Sequence, residues 1–298
     1  MKPAAFDYHA PTTLDEALAL LQGAEEADAK LLAGGQSLVP TMNLRMARPA
    51  ILIDLNRVDG LEGIRCDDGE WRIGAMTRHA SIEDSPELAT HVPVLPAVVA
   101  HIGYRPIRNR GTVGGSLCHA DPSAEWPLLA RLLHMDIDVT SVRGNRTLAA
   151  DDFFEGIFTT AIAPDELLTA VRFRLPTPTW RWGFSEFARK AGDFAVAAAG
   201  VVLAVDGATI TDASVVVAGT GREPLRLDAV EAALAGNALD DHHVDDAVRQ
   251  VIVETASGLD VIADLHAPEA YRRRLVGVQV DRALAQARRS HPEEQRSR

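Results

Sequence analysis

Cysteine is scarce in this sequence. Cys66 and Cys118 are the only two among 298 residues, and they do not form a CxxC pair. An iron–sulfur cluster or a structural zinc ion needs about four protein ligands, so these two thiols cannot hold either group on their own. Isolated thiols are typical of a reducing compartment, and the N-terminus has no secretory signal pattern. Both features predict a cytoplasmic protein.

Long apolar runs and an excess of positive charge are also lacking. The longest apolar run, residues 194–205, is twelve residues long, well short of the roughly 20 that a membrane-spanning helix needs. Lys and Arg number 30 against 42 Asp and Glu, a formal net charge of −12. Because nucleic-acid binding depends on basic contacts to phosphate, this balance argues against a nucleic-acid partner. The remaining composition, 47% hydrophobic and 24% charged, is typical of a globular protein.

The chain alternates helix and strand signals. Thr13 and Glu16 form a capping-box pair at the start of an apolar-faced helix. A strand is predicted before the first of two glycine-rich segments, and a helix at about residues 93–101 before the second. After about residue 176, three strand-like runs precede three helical ones, a pattern that favours an α+β domain. Pro176 and Pro178, with the neighbouring tryptophans at 180 and 182, predict a linker before that domain.

The two glycine-rich segments are the strongest chemical signal. The first, residues 33–38, follows a strand, and the second, residues 111–117, shortly precedes Asp121. Glycine pairs permit positive φ and close approach of a ligand to the backbone, and successive free N–H groups form a concavity that binds anions. Ser37 and Thr112 add hydroxyl groups. We therefore expect two lobes to grip a diphosphate between them. The alternative is that both segments are ordinary tight turns.

The usual nucleotide-binding signatures are missing. The chain contains neither GxGxxG opening a βαβ unit nor the P-loop pattern GxxxxGK[ST]. A Rossmann or P-loop domain is therefore not expected.

The order and spacing of several segments resemble those of a known family. The segments are residues 30–40, residues 110–116 with 120–122, and residues 189–193. That family is the medium, FAD-binding subunit of the molybdenum hydroxylases, which include the xanthine, carbon monoxide and nicotine dehydrogenases. The resemblance spans nearly the whole chain. It implies an α+β fold: a two-lobed FAD-binding domain of the vanillyl-alcohol-oxidase (PCMH) type and a smaller α+β C-terminal domain. The expected divisions are lobe 1 at 1–57, lobe 2 at 58–176, the C-terminal domain at 177–290 and a polar tail at 291–298.

The resemblance also implies a set of cofactor-binding residues. The first segment would supply backbone N–H groups and the Ser37 hydroxyl to the FAD pyrophosphate, and the second would form the opposing cradle. The residues concerned are Ala33, Gly34, Gly35, Gln36, Ser37 and Leu38 in the first segment, and Thr112, Gly114, Gly115 and Ser116 in the second. No catalytic or metal-binding residue is expected on this chain.

Five further residues match family positions near the cofactor. The resemblance implies that Asp121 binds sugar hydroxyls, and its alternative is a plain Asp-Pro turn. Ile102 would pack against the cofactor. Ile162 and Leu168 would flank the flavin ring, or would simply be core residues. Lys190 would lie near the pyrimidine edge of the flavin, where a cation stabilises negative charge, or would be a solvated lysine.

Three functions remain open at this point. The resemblance implies an electron-transfer subunit with FAD on this chain, with molybdopterin on a large subunit and 2Fe–2S clusters on a small one. The assembly would be a heterotrimer or its dimer that hydroxylates a nitrogen heterocycle or related small molecule. A stand-alone FAD-dependent oxidase or reductase is the second possibility, with Tyr104 or His101 available for proton transfer. A non-catalytic nucleotide-binding module is the third.

Overall fold

A computed structural model describes residues 2–24, 28–176, 179–239 and 244–290. Helices and strands are both abundant, and the strands form sheets that helices cover. The predicted α+β class is therefore confirmed. The tail at 291–298 and Pro178 lie outside the described residues. Within the described ranges, no helix is both long and apolar enough to cross a membrane.

The N-terminal lobe is a small parallel sheet with one long covering helix. Its strands follow the order β1-β3-β2. The predicted capping box is present, with the Thr13 hydroxyl accepting from the Glu16 N–H at 3.2 Å. Its elements are β1 (Asp7–His9), α1 (Leu14–Gly23), β2 (Ala29–Leu32), α2 (Leu38–Asn43), β3 (Ile51–Asp54) and a 3-10 turn (Leu55–Arg57).

The middle lobe is built on an antiparallel sheet of five strands, of which the last in sequence lies at the centre. Its first half contains β4 (Ile64–Asp67), β5 (Glu70–Gly74), α3 (His79–Glu83), α4 (Pro86–His91), α5 (Val94–Val99), α6 (Arg105–Arg108), α7 (Val113–His119) and α8 (Glu125–Leu132). Its second half contains β6 (Asp136–Ser141), β7 (Gly144–Ala149), α9 (Ala150–Phe153), β8 (Phe154–Gly156), β9 (Thr159–Thr160) and β10 (Leu167–Arg174). The sheet order is β4-β5-β10-β6-β7, and β8 pairs with β9.

The C-terminal region places three helices on an antiparallel meander. Strand order follows the chain, β11-β12-β13-β14. Its central strand is buried on both faces, which explains why its sequence is almost wholly apolar. The elements are β11 (Thr179–Ala188), β12 (Ala195–Asp206), β13 (Thr209–Ala218), β14 (Leu225–Arg226), α10 (Asp228–Leu234), α11 (Asp246–Gly258) and α12 (Glu269–Arg289).

The apolar core continues from the middle lobe into the C-terminal region. Phe184 of β11 and Val202 of β12 belong to the same buried cluster as Trp126 and Leu128 of α8. Gly200 on β12 allows this packing, because a Cβ there would lie 2.6 Å from the Leu132 side chain. The middle lobe and the C-terminal meander are therefore held together by a shared core.

Two local predictions were wrong. The second glycine-rich segment is mostly helix α7 rather than a turn with free N–H groups, because Thr112 caps the helix and the glycines lie in its first turn. Trp180 and Trp182 are part of β11 rather than a linker, because β11 pairs with β12 along its whole length. Trp180 lies opposite Ala204 and Trp182 opposite Val202.

One glycine in the C-terminal region tests the packing of sheet on helix. A Cβ at Gly183 would overlap the backbone carbonyl of Ala283 in α12. We expect Gly183→Ala to lower the free energy of unfolding by about 3 kcal/mol, because the long helix must move away from β11. Gly23→Ala, where nothing lies within 4 Å of the new Cβ, is the control. Thermal denaturation measures both, and equal melting temperatures for the two variants would contradict the packing described.

Candidate functional site

The first glycine-rich segment is a tight turn between β2 and α2. Gly35 has a φ of +73°, which glycine adopts without the steric cost that a Cβ brings. Its carbonyl accepts from the Val39 N–H at 3.1 Å as α2 begins. Within the described residues, the N–H groups of Gly35, Gln36 and Ser37 donate to no protein acceptor, and the Ser37 hydroxyl caps nothing. These donors are available to a ligand.

The second segment presents a different set of groups. The Thr112 hydroxyl accepts from the Gly115 N–H at 3.1 Å. The N–H groups of Val113 and Gly114 donate, at 3.1 and 2.8 Å, to carbonyl oxygens in the chain just after β5. The expectation of free N–H groups is therefore wrong for these three residues. What remains open to a ligand is the hydroxyl of the half-buried Ser116.

The structure brings the two segments together. A Cβ on Gly34 would overlap the carbonyl oxygen of Arg110 and lie 2.8 Å from the Cα of Gly111. A Cβ on Gly115 would lie 3.3 Å from the Cβ of Ala33. The glycines thus serve first to let two backbones touch. The result is a narrow junction with unpaired donors on one side, a geometry that fits a diphosphate.

Asp121 follows Ala120, which has a left-handed φ of 49°. One carboxylate oxygen of Asp121 accepts from the Ser123 N–H at 2.8 Å, which makes an Asx turn. Burial raises the pKa of this carboxyl. The Asp-Pro turn is therefore present, and it leaves the other carboxylate oxygen for a sugar hydroxyl.

The three apolar residues predicted near the cofactor differ in how much of the side chain is exposed. Ile102 and Ile162 are half-buried and pack on the edge of the middle core. Leu168 is only 4% exposed and belongs to that core. Its side chain therefore has almost no surface left for a ligand, in agreement with the alternative that it is a packing residue.

Lys190 lies in an exposed turn after β11. The Asp193 N–H closes this turn on the Lys190 carbonyl at 3.2 Å. Gly192 presses the turn against Gly103, since a Cβ there would lie 2.7 Å from the Gly103 carbonyl oxygen. The turn therefore lies beside Ile102, and Lys190 and Ile102 are brought to one region.

Sequence reasoning missed a buried carboxyl cluster. Glu125 begins α8 and is 7% exposed, and burial raises its pKa to about 8, with the negative charge of Glu186 adding to the effect. Glu186 forms a hydrogen bond with His101, with 2.8 Å between Glu186 Oε1 and His101 Nδ1. Glu125 is therefore protonated at neutral pH and can donate a hydrogen bond. A single Glu before an apolar helix carries no sequence signal of such burial.

Family models match both parts of the chain. Residues 4–178 match the FAD binding domain in molybdopterin dehydrogenase. Residues 182–287 match the CO dehydrogenase flavoprotein C-terminal domain. The FAD model covers both lobes that form the junction described above.

Named relatives resemble the chain over nearly its whole length. The nicotine 6-hydroxylase medium subunit of Paenarthrobacter nicotinovorans is 39% identical, covering 96% of this chain and 99% of the relative. The caffeine dehydrogenase subunit beta of Pseudomonas sp. (strain CBB1) is 36% identical, covering 96% of each. A solved carbon monoxide dehydrogenase from Hydrogenophaga pseudoflava, lacking the Mo-pyranopterin moiety of its molybdenum cofactor, superposes with a TM-score of 0.91 at 35% identity, covering 96% of this chain and 98% of that one.

The junction between the segments predicts a selective loss of cofactor. In Gly115→Val, the new side chain meets the Thr112 hydroxyl, with its Cβ 2.7 Å away, and pushes against Ala33. We expect the variant to fold but to lose bound FAD, because the two segments can no longer close on the diphosphate. Flavin absorbance per chain measures retention. Gly258→Val, where the Cβ meets nothing within 4 Å, should keep FAD, and full retention in Gly115→Val would contradict the site.

The buried carboxyl predicts a pH-dependent stability. The pKa of Glu125, about 8 in the folded chain, lies above its ordinary value, so the unfolded state loses this proton first as pH rises. Stability therefore falls between about pH 4.5 and 8, and Glu125→Gln removes that loss, worth about 5 kcal/mol at most. Melting temperatures of the FAD-free proteins should diverge in favour of the variant from pH 5 to pH 8. A difference that stays constant with pH would refute the buried neutral acid.

Proposed function

Because this chain belongs to the FAD-binding medium-subunit family of the molybdenum hydroxylases, we propose that it is the electron-transfer subunit of such an enzyme. It is an FAD-binding subunit of an oxidoreductase, with an FAD-binding domain followed by a flavoprotein C-terminal domain. The observation that carries the proposal is the junction at which Gly34 packs on Arg110 and Gly111. It unites two lobes inside one matched FAD-binding domain.

The proposed cofactor contacts divide by type of group. The N–H groups of Gly35, Gln36 and Ser37 would hold the diphosphate, and the Ser116 hydroxyl would close over it. The flavin, when bound, supplies both one- and two-electron redox chemistry. This chain's own task is then to bind and orient the cofactor and to exclude water around it.

The remaining contacts concern the rest of the cofactor. We place Ile102 and Ile162 against its rings, because they retain apolar surface at the edge of the core. Asp121 would accept from sugar hydroxyls through its free oxygen. Lys190, whose side chain is exposed, would stabilise negative charge at the flavin edge.

The proposal includes partner chains that hold the groups that two cysteines cannot bind. Cys66 and Cys118 are both free, so a 2Fe–2S cluster, which takes about four ligands, must lie on another subunit. We propose a small iron–sulfur subunit and a large molybdopterin subunit, assembled with this chain as a heterotrimer or its dimer. Electrons would reach this chain from the small subunit and leave to a terminal acceptor. The free thiols also suit a reducing compartment, and we propose the cytoplasm.

The domain divisions proposed are 1–57 and 58–176 for the two lobes and 177–290 for the C-terminal domain. The substrate of the complex is proposed to be a nitrogen heterocycle or related small molecule. Support comes from relatives whose names specify nicotine and caffeine, both nitrogen heterocycles. The hydroxylation itself would take place on the large subunit.

The test compares the isolated chain with the reconstituted complex. The isolated chain should bind FAD and show no oxidation of nitrogen heterocycles. In the complex, substrate should reduce the iron–sulfur clusters whether the medium subunit is wild type or Gly115→Val, but only the wild type should reduce an added acceptor. The absorbance of clusters and acceptor measures both steps. Heterocycle oxidation by the isolated chain would overturn the proposal in favour of a stand-alone oxidase.

A further inference from the structure

A polar bridge connects the two glycine-rich segments. The amide Nδ2 of Asn56 donates to the Ala33 carbonyl at 3.0 Å. The amide oxygen of Asn56 accepts from Arg78 Nη2 at 2.5 Å, and Arg78 Nη1 donates to the carbonyl of Arg110. One continuous chain of hydrogen bonds therefore runs from the first segment, through two side chains, to the residue that precedes the second.

Each end of the bridge is fixed by its own lobe. Asn56 lies in the 3-10 turn after β3, where the Asp54 carboxylate accepts from both its backbone N–H, at 2.9 Å, and its side-chain amide. The Tyr8 hydroxyl donates to the other oxygen of Asp54 at 2.6 Å. The Asn56 side chain is thus oriented before it meets Arg78.

Arg78 is held by backbone pairing. It forms an isolated antiparallel bridge with Thr112. Its neighbours complete this pairing, since the His79 N–H donates to the Gly111 carbonyl at 3.0 Å and the Val113 N–H to the Thr77 carbonyl at 3.1 Å. The backbone of residues 77–79 therefore positions the second segment, while the Arg78 side chain reaches across to the first.

The Arg78 guanidinium is half-buried, and among the described residues no carboxylate lies within ion-pair distance of it. Its fork is used instead on two neutral oxygens, which leaves a positive charge at the junction of a chain with a net charge of −12. The planar fork satisfies two acceptors in fixed directions, and a lysine ammonium cannot reproduce this geometry.

We propose that Asn56 and Arg78 are positioning residues that set the spacing of the two segments for the FAD diphosphate. This inference rests on the proposed function and deepens it. The bridge holds the carbonyls of Ala33 and Arg110 at one separation before the cofactor arrives. The junction is already ordered in the folded chain. Less of the free energy of FAD binding is therefore spent on ordering it.

The test measures FAD affinity of the full-length FAD-free chain by quenching of flavin fluorescence. We expect Arg78→Lys and Asn56→Ala each to raise the Kd by about tenfold, the effect of losing one hydrogen bond to a charged group. The double variant should be no weaker than about the worse single variant, because both changes break one linkage. Arg65→Met, which removes the charge of an exposed arginine on β4, should leave the Kd unchanged.

The possible failures give different results. Wild-type affinity in Arg78→Lys would show that only charge matters and would overturn the bridge, as would wild-type affinity in Asn56→Ala or losses that multiply in the double variant. A lower melting temperature with unchanged Kd would reveal a merely structural role and would also overturn it. If Arg78→Lys fails to fold, Asn56→Ala alone decides. If the wild-type chain binds no FAD, the proposed function fails first.

Discussion

The structure depends on a backbone contact between residues far apart in sequence. Gly34, at the end of a parallel strand in the N-terminal lobe, packs directly on the carbonyl of Arg110 and on Gly111 in the middle lobe. No side chain larger than hydrogen fits at that point, since even a Cβ would overlap the carbonyl oxygen. The junction between the two segments exists because this contact closes one lobe on the other.

The two segments that meet at this contact differ in the N–H groups that they leave unpaired. The donors of the second segment are consumed in capping α7 and in pairing with the chain after β5, which makes that side rigid. The first segment keeps its N–H groups at Gln36 and Ser37 unpaired. A diphosphate would therefore receive its hydrogen bonds mainly from the N-terminal lobe, against a preorganised wall from the middle lobe.

Local features of the fold could be predicted from the sequence, whereas most contacts between distant segments could not. The capping box at Thr13 and the alternation of helix and strand are local signals, and both were predicted correctly. That the two glycine segments would meet was predicted from their shared chemistry and from the family resemblance. The burial of Glu125 and the bridge through Arg78 depend on chain segments that approach only in the fold, so no local pattern announces them.

We propose that FAD is held between segments from two lobes. Hydrogen–deuterium exchange on the full-length chain, with and without FAD, tests it most directly because it reports protection segment by segment. We expect FAD to slow exchange strongly at the unpaired N–H groups of residues 35–37 and, in the same titration, in residues 112–116, with β12 and β13 unchanged. Protection confined to one of the two segments, or centred on the C-terminal meander, would contradict it.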